Sequence, residues 1–203
     1  MFIQVFQGPV ADGNDVRMMM QDWLAHLAPG AQGWLGSTTG VTDDGMLVGV
    51  ARFESRAAAT RNSERPEQGE WWQRASKLFT GDVAFHDCSK VTTSRKGGSD
   101  DAGFVQVIQG HTSDPARLDE LSRQFDQRAE GLRPELYGFL LAWDDDTAGD
   151  FTEVAYFSSE EAARQGEQQE PPEDLRPMLE EEASLLQDVT YFDLRQVWLN
   201  SPR

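Results

Sequence analysis

Hydrophobic and polar residues alternate in two short runs that have nearly the same sequence. Near the N-terminus the run is Phe-Ile-Gln-Val-Phe-Gln-Gly (2–8), and past the middle of the chain it returns as Phe-Val-Gln-Val-Ile-Gln-Gly (104–110). Alternating β-branched and aromatic residues that end at glycine are typical of a half-buried strand followed by a turn. The two runs therefore predict the same strand at the start of two related segments.

The residues after each run follow the same order of predicted elements. In the first copy, apolar residues at helical spacing over 16–27 predict a helix, and a turn at 43–45 joins two further strands. A second helical region and a last strand over 82–91 complete the copy. The second copy repeats these features at an offset that grows from 102 residues at Gly8 to 106 at Asp82. The chain is therefore predicted to be a tandem repeat of a β-α-β-β-α-β unit.

The repeat divides the chain into two domains and two short flanking segments. The copies span residues 1–91 and 104–197. Residues 92–103 between them are rich in Ser, Thr, Lys, Gly and Asp, which predicts a flexible linker. Residues 198–203 form a short C-terminal tail.

The repeated unit also predicts how the chain is layered. A β-α-β-β-α-β unit forms an antiparallel sheet with both helices on one face. The other face carries alternating apolar residues and must be covered, which a second copy in the same chain can do. The predicted fold class is therefore α+β, with two tandem ferredoxin-like repeats whose antiparallel sheets pack face to face as an intrachain dimeric α/β barrel.

Three motifs occur in both copies and carry a family resemblance. They are Phe-x-Gln-Val-x-Gln-Gly (2–8 and 104–110), Phe-x-Ser-x-x-Ala-Ala (53–59 and 157–163) and Asp-Val-x-(Phe/Tyr)-x-Asp (82–87 and 188–193). With them the chain resembles the dimeric α/β-barrel superfamily, as a tandem fusion of two antibiotic-biosynthesis-monooxygenase-like domains. The resemblance implies the barrel fold. It also implies an activity among those of the superfamily, which includes cofactor-independent oxygenases and haem-degrading enzymes.

The charge of the chain is strongly negative, with 35 Asp and Glu residues against 18 Lys and Arg residues. Residues 1–91 hold 11 acids and 8 bases, whereas residues 104–203 hold 22 acids and 8 bases. Such a surface repels phosphate backbones and anionic lipids, so neither nucleic acid nor a membrane surface is expected as a partner. The single cysteine, Cys88, excludes an intramolecular disulfide.

The sequence contains no obvious targeting or membrane segment. The first residues lead directly into a strand, unlike a signal peptide, and no run of 18 apolar residues occurs. A soluble cytoplasmic protein is therefore expected, either a monomer with an internal pseudo-dimer or a homodimer.

The predicted strand register indicates which side chains face the space between the sheets. If Ile3 and Val5 pack under the helices, the residues next to them point towards the other sheet. The polar residues predicted on that side are Gln4, Arg52, His86, Gln106 and Tyr156. Apolar walls with a few polar groups are typical of small-molecule sites, so these five are candidate ligand-binding residues.

Other roles are open for several of these residues. Gln4 and Gln106 occupy matching positions and could instead hydrogen-bond across the seam between the copies. His86, which has Phe192 as its counterpart, is the candidate catalytic base. The three histidines lack metal-ligand spacing, which argues against a metal site. No cofactor is expected, although haem ligation by His86 or His26 stays open.

Two functions compete on these grounds. The first is a small-molecule-binding protein with an apolar or aromatic ligand between the sheets, for which the resemblance implies cofactor-independent monooxygenase-like activity. The alternative is a non-catalytic structural or protein-interaction module with a solidly packed inter-sheet core. An open cavity beside Arg52 and His86 would favour the first hypothesis. Trp71 and Trp72 are expected to belong to the helix core.

Overall fold

The computed structural model describes residues 1–94, 97–128 and 131–202. These residues form two five-stranded sheets and six α-helices, which separate into two compact units. The first unit contains Met1–Lys90 together with the residues from Gln196 onwards, and the second contains Val91–Arg195.

Both predicted copies contain the expected strands and helices. The first copy consists of β1 (Phe2–Pro9), α1 (Gly13–His26), β2 (Trp34–Val41), β3 (Met46–Phe53), α2 (Arg56–Ser63), α3 (Pro66–Ala75) and β4 (Ala84–Cys88). The chain continues with β5 (Lys90–Thr93), β6 (Phe104–His111), α4 (Pro115–Arg128), β7 (Leu136–Trp143), β8 (Asp150–Phe157), α5 (Glu160–Glu167), α6 (Arg176–Leu185), β9 (Gln187–Leu194) and β10 (Gln196–Asn200). Short 3-10 turns follow α1 and α3, at Ala28–Gly30 and Ser76–Leu78.

The strand order of each sheet confirms the predicted fold class. The first sheet has the order β10-β2-β3-β1-β4 and the second β5-β7-β8-β6-β9. Within them, β2-β3-β1-β4 and β7-β8-β6-β9 share the antiparallel order of a β-α-β-β-α-β ferredoxin-like unit. The chain is therefore an α+β protein of two tandem ferredoxin-like repeats. The packing of one sheet against the other stays a prediction.

Two short strands begin at the ends of the predicted copies and extend into the predicted linker and tail. β5 forms an edge of the second sheet, and β10 pairs with β2 from Gln196 opposite Val41 to Asn200 opposite Ser37. Strands of four or five residues carry too little periodicity to be recognised from sequence, and their pairing partners lie far away along the chain. Each sheet therefore gains one strand that the repeat pattern did not reveal.

The helix starts follow from local sequence in both copies. The Ser55 and Ser159 side chains accept hydrogen bonds from the backbone N–H groups of Ala58 and Ala162, which caps α2 and α5 at matching positions. α3 begins at Pro66, because proline suits the first turn of a helix. No helix in the described ranges is long and apolar enough to cross a membrane.

The first strand faces the opposite way from the prediction. Phe2 packs with Val16, Trp23 and Trp71 in the apolar cluster between the sheet and the helices. The even-numbered residues of β1 therefore face the helices, and Ile3 and Val5 face away from them. The prediction was wrong because β1 is apolar on both faces, so its alternation does not reveal which face the helices cover.

A β-bulge in each copy brings two side chains of one strand onto the helix-facing side. Between Trp34 and Gly36 the pairing of β2 with β3 slips by one residue, and β7 shows the same slip between Leu136 and Gly138. As a result Trp34 and Ser37 lie on the same face of the sheet. Gly36 has a φ of +137°, and a Cβ there would clash with the guanidinium group of Arg52.

Candidate ligand-binding site

A cavity of about 300 Å³ lies in the first unit, between the sheet and the helices α1, α2 and α3. Seven aromatic side chains line it: Phe6, Trp23, Trp34, Phe53, Trp71, Trp72 and Phe85. Its polar lining residues are Gln4, Ser37, Asn62, Ser63 and Gln68. Four of the chain's six tryptophans thus surround one cavity. Apolar walls with a few polar groups are the usual construction of a small-molecule site.

The aromatic rings are fixed by contacts with one another and by hydrogen bonds. The Trp23 and Trp34 rings meet edge to face at 5.1 Å between centroids, and Trp72 meets Phe85 in the same way at 5.4 Å. The indole Nε1 of Trp23 donates to Gln68 Oε1 at 2.7 Å, which ties α1 to α3. The cavity walls are therefore held in place without a ligand.

Gln4 presents its carbonyl oxygen as an acceptor. Its Nε2 donates to Asp87 Oδ1 at 2.8 Å, and Arg56 Nη1 donates to the other oxygen of Asp87 at 3.3 Å. Because a carboxylate can only accept, the amide nitrogen of Gln4 must face Asp87. The amide oxygen is then available to a hydrogen-bond donor on a ligand.

Ser37 contributes a buried hydroxyl group that has no partner. Its residue is 5% exposed, and the Oγ atom makes no hydrogen bond within the described part of the chain. A buried polar group without a partner costs about 1–3 kcal/mol. Thr39 has a similarly unpartnered hydroxyl but does not line the cavity. A ligand that hydrogen-bonds to Ser37 would remove the unfavourable contribution at this position.

None of the described residues that line this cavity is ionisable. A charged ligand would lose its hydration there without gaining an opposite charge, which is strongly unfavourable. The lining therefore favours a neutral ligand, and it contains no side chain that could act as a general base.

The five predicted ligand-binding residues do not share one face of a sheet. Gln4 lies on the helix-facing side and lines the cavity, whereas Arg52 and His86 lie on the opposite face. Their register shows this, because directly paired residues share a face: Ile3 pairs with Arg52, Val5 with His86 and Val105 with Tyr156. The predicted common face was wrong because the first strand was assigned in the wrong orientation. Ligand binding by Arg52, His86 and Tyr156, and catalysis by His86, stay predictions.

Gln4 and Gln106 make matching hydrogen bonds within their own repeats, and a bond between them across the seam stays a hypothesis. Gln106 Nε2 donates to Asp193 Oδ1 at 2.9 Å, which reproduces the bond between Gln4 and Asp87 in the first repeat. Each glutamine therefore bonds to the aspartate opposite it on the neighbouring strand of its own sheet. This hydrogen bond joins the Phe-x-Gln-Val-x-Gln-Gly motif to the Asp-Val-x-(Phe/Tyr)-x-Asp motif in both copies.

The tryptophans were the part of the cavity that the sequence analysis missed. Trp71 was expected in the helix core and is 5% exposed there, but it also lines the cavity, as Trp72 does. The signal in the sequence was the concentration of four tryptophans within residues 23–72. Helical spacing alone cannot separate a packed core from a cavity wall, because both require the same apolar face.

A second cavity, of about 210 Å³, lies at the equivalent place in the second unit. Gln106 lines it as Gln4 lines the first, and Phe125 on α4 takes the position of Trp23 on α1. This cavity is acidic, because Glu153 and Glu182 both line it. Burial raises the pKa of Glu153 to about 8, with a further contribution from the charge of Glu182. Burial also raises the pKa of Glu182.

Over residues 1–94, 97–128 and 131–202, no histidine lines either cavity. His26 lies at the exposed end of α1, where its Nδ1 is 3.0 Å from Asp22 Oδ1. Within the described residues, no group of three His, Cys, Asp or Glu side chains is placed to hold a metal ion. The cavities thus do not offer the imidazole ligand by which many haem proteins hold iron.

No protein-family model matches the sequence, and no curated protein matches it. Solved structures do. A proposed monooxygenase from Lactobacillus acidophilus superposes with a TM-score of 0.76 at 12% identity, over 98% of this chain and 95% of that one. A proposed monooxygenase from Fusobacterium nucleatum gives a TM-score of 0.77 at 10% identity, over 98% and 94%. An anthrone oxidase-like protein gives 0.68 at 12% identity, over 98% and 92%.

These likenesses cover nearly the whole of each chain, so they show that the fold is that of monooxygenase-like proteins with tandem ferredoxin-like domains. At 10 to 12% identity the likeness extends to the fold and not to the activity.

Proposed function

We propose that the protein binds a neutral, largely aromatic small molecule in the cavity of the first repeat. The observation that carries the proposal is a cavity with seven aromatic side chains and an unpartnered buried hydroxyl, that of Ser37. A volume of about 300 Å³ lies at the lower end of the range for ligand cavities. A flat ligand of two or three fused rings suits these walls.

The lining supports a specific way of holding such a ligand. The tryptophan rings offer faces and edges for stacking, which adds to the stabilisation from burying apolar surface. The Ser37 hydroxyl can donate to a ligand carbonyl oxygen, and the Gln4 amide oxygen can accept from a ligand hydroxyl group. Two polar contacts of this kind fix the orientation of a ligand that stacking alone would leave free to rotate.

The specific form of the proposal is oxygenation of the bound ligand by O₂ without a bound cofactor. The names of the structural neighbours favour it, since two are proposed monooxygenases and one is anthrone oxidase-like. For a benzylic CH₂ the balanced change is CH₂ + O₂ → C=O + H₂O. Because no ionisable group lines the cavity within the part of the chain that the structure describes, the ligand would have to lose its proton to solvent or to a group outside that lining. This chemistry therefore requires a ligand with an unusually acidic C–H bond.

The test of binding is a titration with anthrone, a neutral three-ring ketone. The fluorescence of the cavity tryptophans reports the binding. We expect saturable quenching by anthrone. Ser37→Ala should weaken binding by about fivefold, because it removes one neutral hydrogen bond of about 1 kcal/mol. Thr39→Val is the matched control, since it removes an unpartnered hydroxyl outside the lining and should leave the affinity unchanged.

Two results would contradict the proposal. Quenching that does not saturate would show that anthrone has no site, and equal effects of the two substitutions would show that the site is not beside Ser37. Oxygen uptake by the anthrone complex, measured with an electrode, tests the oxygenase form separately. Saturable binding of anthrone without oxygen uptake would support the binding function and contradict the oxygenase function.

A further inference from the structure

We propose that the cavity of the second repeat is a separate binding site for a small organic cation with a guanidinium or ammonium head, held by Glu153 and Glu182. This site does not depend on the function proposed for the first repeat. It takes a ligand of opposite character, because Glu182 stands where the first repeat has Trp71 and Glu153 stands where it has Gly49.

The two carboxyl groups enter the cavity from opposite walls. Glu153 lies on β8, directly opposite Ile108 of β6, so it shares the helix-facing side with Gln106. Glu182 lies on α6 and is the fifth residue after the proline of an Arg-Pro pair, as Trp71 is in the first repeat. Both line the same cavity of about 210 Å³. A cation between them would be neutralised from the sheet side and from the helix side.

A second feature of this cavity, independent of the acids, also points to a ligand. Ser122 on α4 lines the cavity and is 4% exposed, so its hydroxyl group lies in the interior of the second unit. Buried polar groups in native proteins are hydrogen-bonded. A hydroxyl oxygen accepts hydrogen bonds, and guanidinium and ammonium groups carry several N–H donors. Ser122 therefore supplies a third contact for the head of the ligand.

The remaining walls suit the flat face or the alkyl stem of an organic cation. Phe125, Phe139 and Phe157 line the cavity, and cations are attracted to aromatic faces. A guanidinium group also matches a carboxylate with two parallel hydrogen bonds. A divalent metal ion fits less well, because no group of three acidic, histidine or cysteine side chains gathers here among the described residues.

The other charged groups that line the cavity are engaged in ion pairs. Arg133 Nε is hydrogen-bonded to Glu135 Oε1, and Arg164 Nη1 donates to Glu167 Oε1 at 3.0 Å. The second copy also carries the larger part of the negative charge, with 22 acids against 8 bases over residues 104–203. The field around this unit therefore attracts cations and speeds their association.

Binding should release a proton. With its pKa raised to about 8 by burial and by Glu182, Glu153 is protonated at neutral pH. The exchange is cation⁺ + Glu153–COOH → cation⁺·Glu153–COO⁻ + H⁺, which leaves the net charge of the cavity unchanged. Below the pKa of Glu153 the affinity should therefore rise by up to roughly tenfold per pH unit, and it should level off above it.

The test uses the full chain and two probes of similar shape, n-butylguanidinium and its neutral analogue n-butylurea. NMR titration gives the affinities, and a pH-stat records protons released on binding at pH 7. We expect n-butylguanidinium to bind at least tenfold more tightly than n-butylurea and to release close to one proton. Glu153→Gln and Glu182→Gln should each weaken the binding of the cation at least tenfold.

Glu181→Gln is the matched control, because Glu181 lies next to Glu182 but pairs with Arg117 and does not line the cavity. It should leave the affinity for n-butylguanidinium unchanged. Thermal unfolding will show whether the Glu153 and Glu182 variants remain folded. Equal affinity for the two probes, binding without proton release, or equal losses in Glu181→Gln and Glu182→Gln would overturn the proposal.

Discussion

At the scale of single residues, substitutions on two neighbouring strands account for the presence of Glu153 in the second cavity. In the first repeat Phe6 lies opposite Gly49, and a Cβ at position 49 would clash with the phenyl ring. In the second repeat the smaller Ile108 lies opposite Glu153. The large Phe6 ring thus leaves no space for a side chain at position 49. The smaller Ile108 leaves space for the carboxyl group of Glu153.

The raised pKa of Glu153 predicts how its replacement affects stability. The carboxyl binds its proton more tightly in the folded state, where its pKa is about 8, than in the unfolded chain, where it is near 4.5. Raising the pH between these values therefore destabilises the native protein, by at most about 1.4 kcal/mol per pH unit. Glu153→Gln removes this effect. The free energy of unfolding of the variant, relative to that of the native protein, should therefore increase from pH 5 to pH 8.

Urea unfolding at several pH values measures this difference. Asp146→Asn, in an exposed turn, is the control for removing one carboxyl group from the chain. If the difference in the free energy of unfolding between Glu153→Gln and the native protein does not change with pH, the Glu153 carboxyl is solvated and its pKa is not raised.

At the scale of elements, the helices and strands could be predicted because local sequence determines them. Features that depend on contacts between distant segments could not be predicted. Ser55 and Ser159 indicate helix starts because a capping side chain acts within three residues. The orientation of β1 was not predictable, since both of its faces are apolar and only the helices packed on it distinguish them. The bulge after Trp34, which places Ser37 in the cavity wall, also depends on pairing with a separate strand.

Two glycines in the first unit should respond in opposite ways to a methyl group. Gly69 lies inside α3, and a Cβ there meets no atom within 4 Å. Gly69→Ala should therefore raise the free energy of unfolding by up to about 1 kcal/mol through the better helix propensity of alanine. Gly49→Ala should lower it by about 1–3 kcal/mol, because the added methyl displaces the Phe6 ring.

Thermal and chemical unfolding of the two variants tests this contrast. The anthrone titration adds a second readout, because Phe6 lines the cavity and its displacement should weaken binding in Gly49→Ala. Destabilisation by Gly69→Ala would show that the space beside α3 is occupied.

At the scale of the whole molecule, the short strand that follows each repeat belongs to the sheet of the other repeat. β5 follows the first repeat but belongs to the second sheet, and β10 follows the second repeat but pairs with β2 in the first sheet. Sequence periodicity located the repeats because each is a local pattern. It could not assign these strands, since the pairing of β10 with β2 joins residues more than 150 positions apart. The first unit is therefore complete only when the last strand of the chain has been made.

Removal of β10 should destabilise the first unit and make it self-associate. A chain ending at Arg195 lacks the partner of β2, which then exposes a row of unpaired backbone groups at the sheet edge. It also lacks Trp198, which packs against the apolar core of the first unit. We expect a melting temperature lower by several degrees and dimers or larger species in light scattering.

Trp198→Ala in the full chain separates the two causes. It keeps the backbone pairing of β10 with β2 and removes only the packing of the indole ring, so it should lower the melting temperature without self-association. Self-association of the truncated chain alone would assign the protection of the sheet edge to the backbone of β10. If the truncated chain melts at the native temperature and stays monomeric, β10 does not stabilise the first sheet.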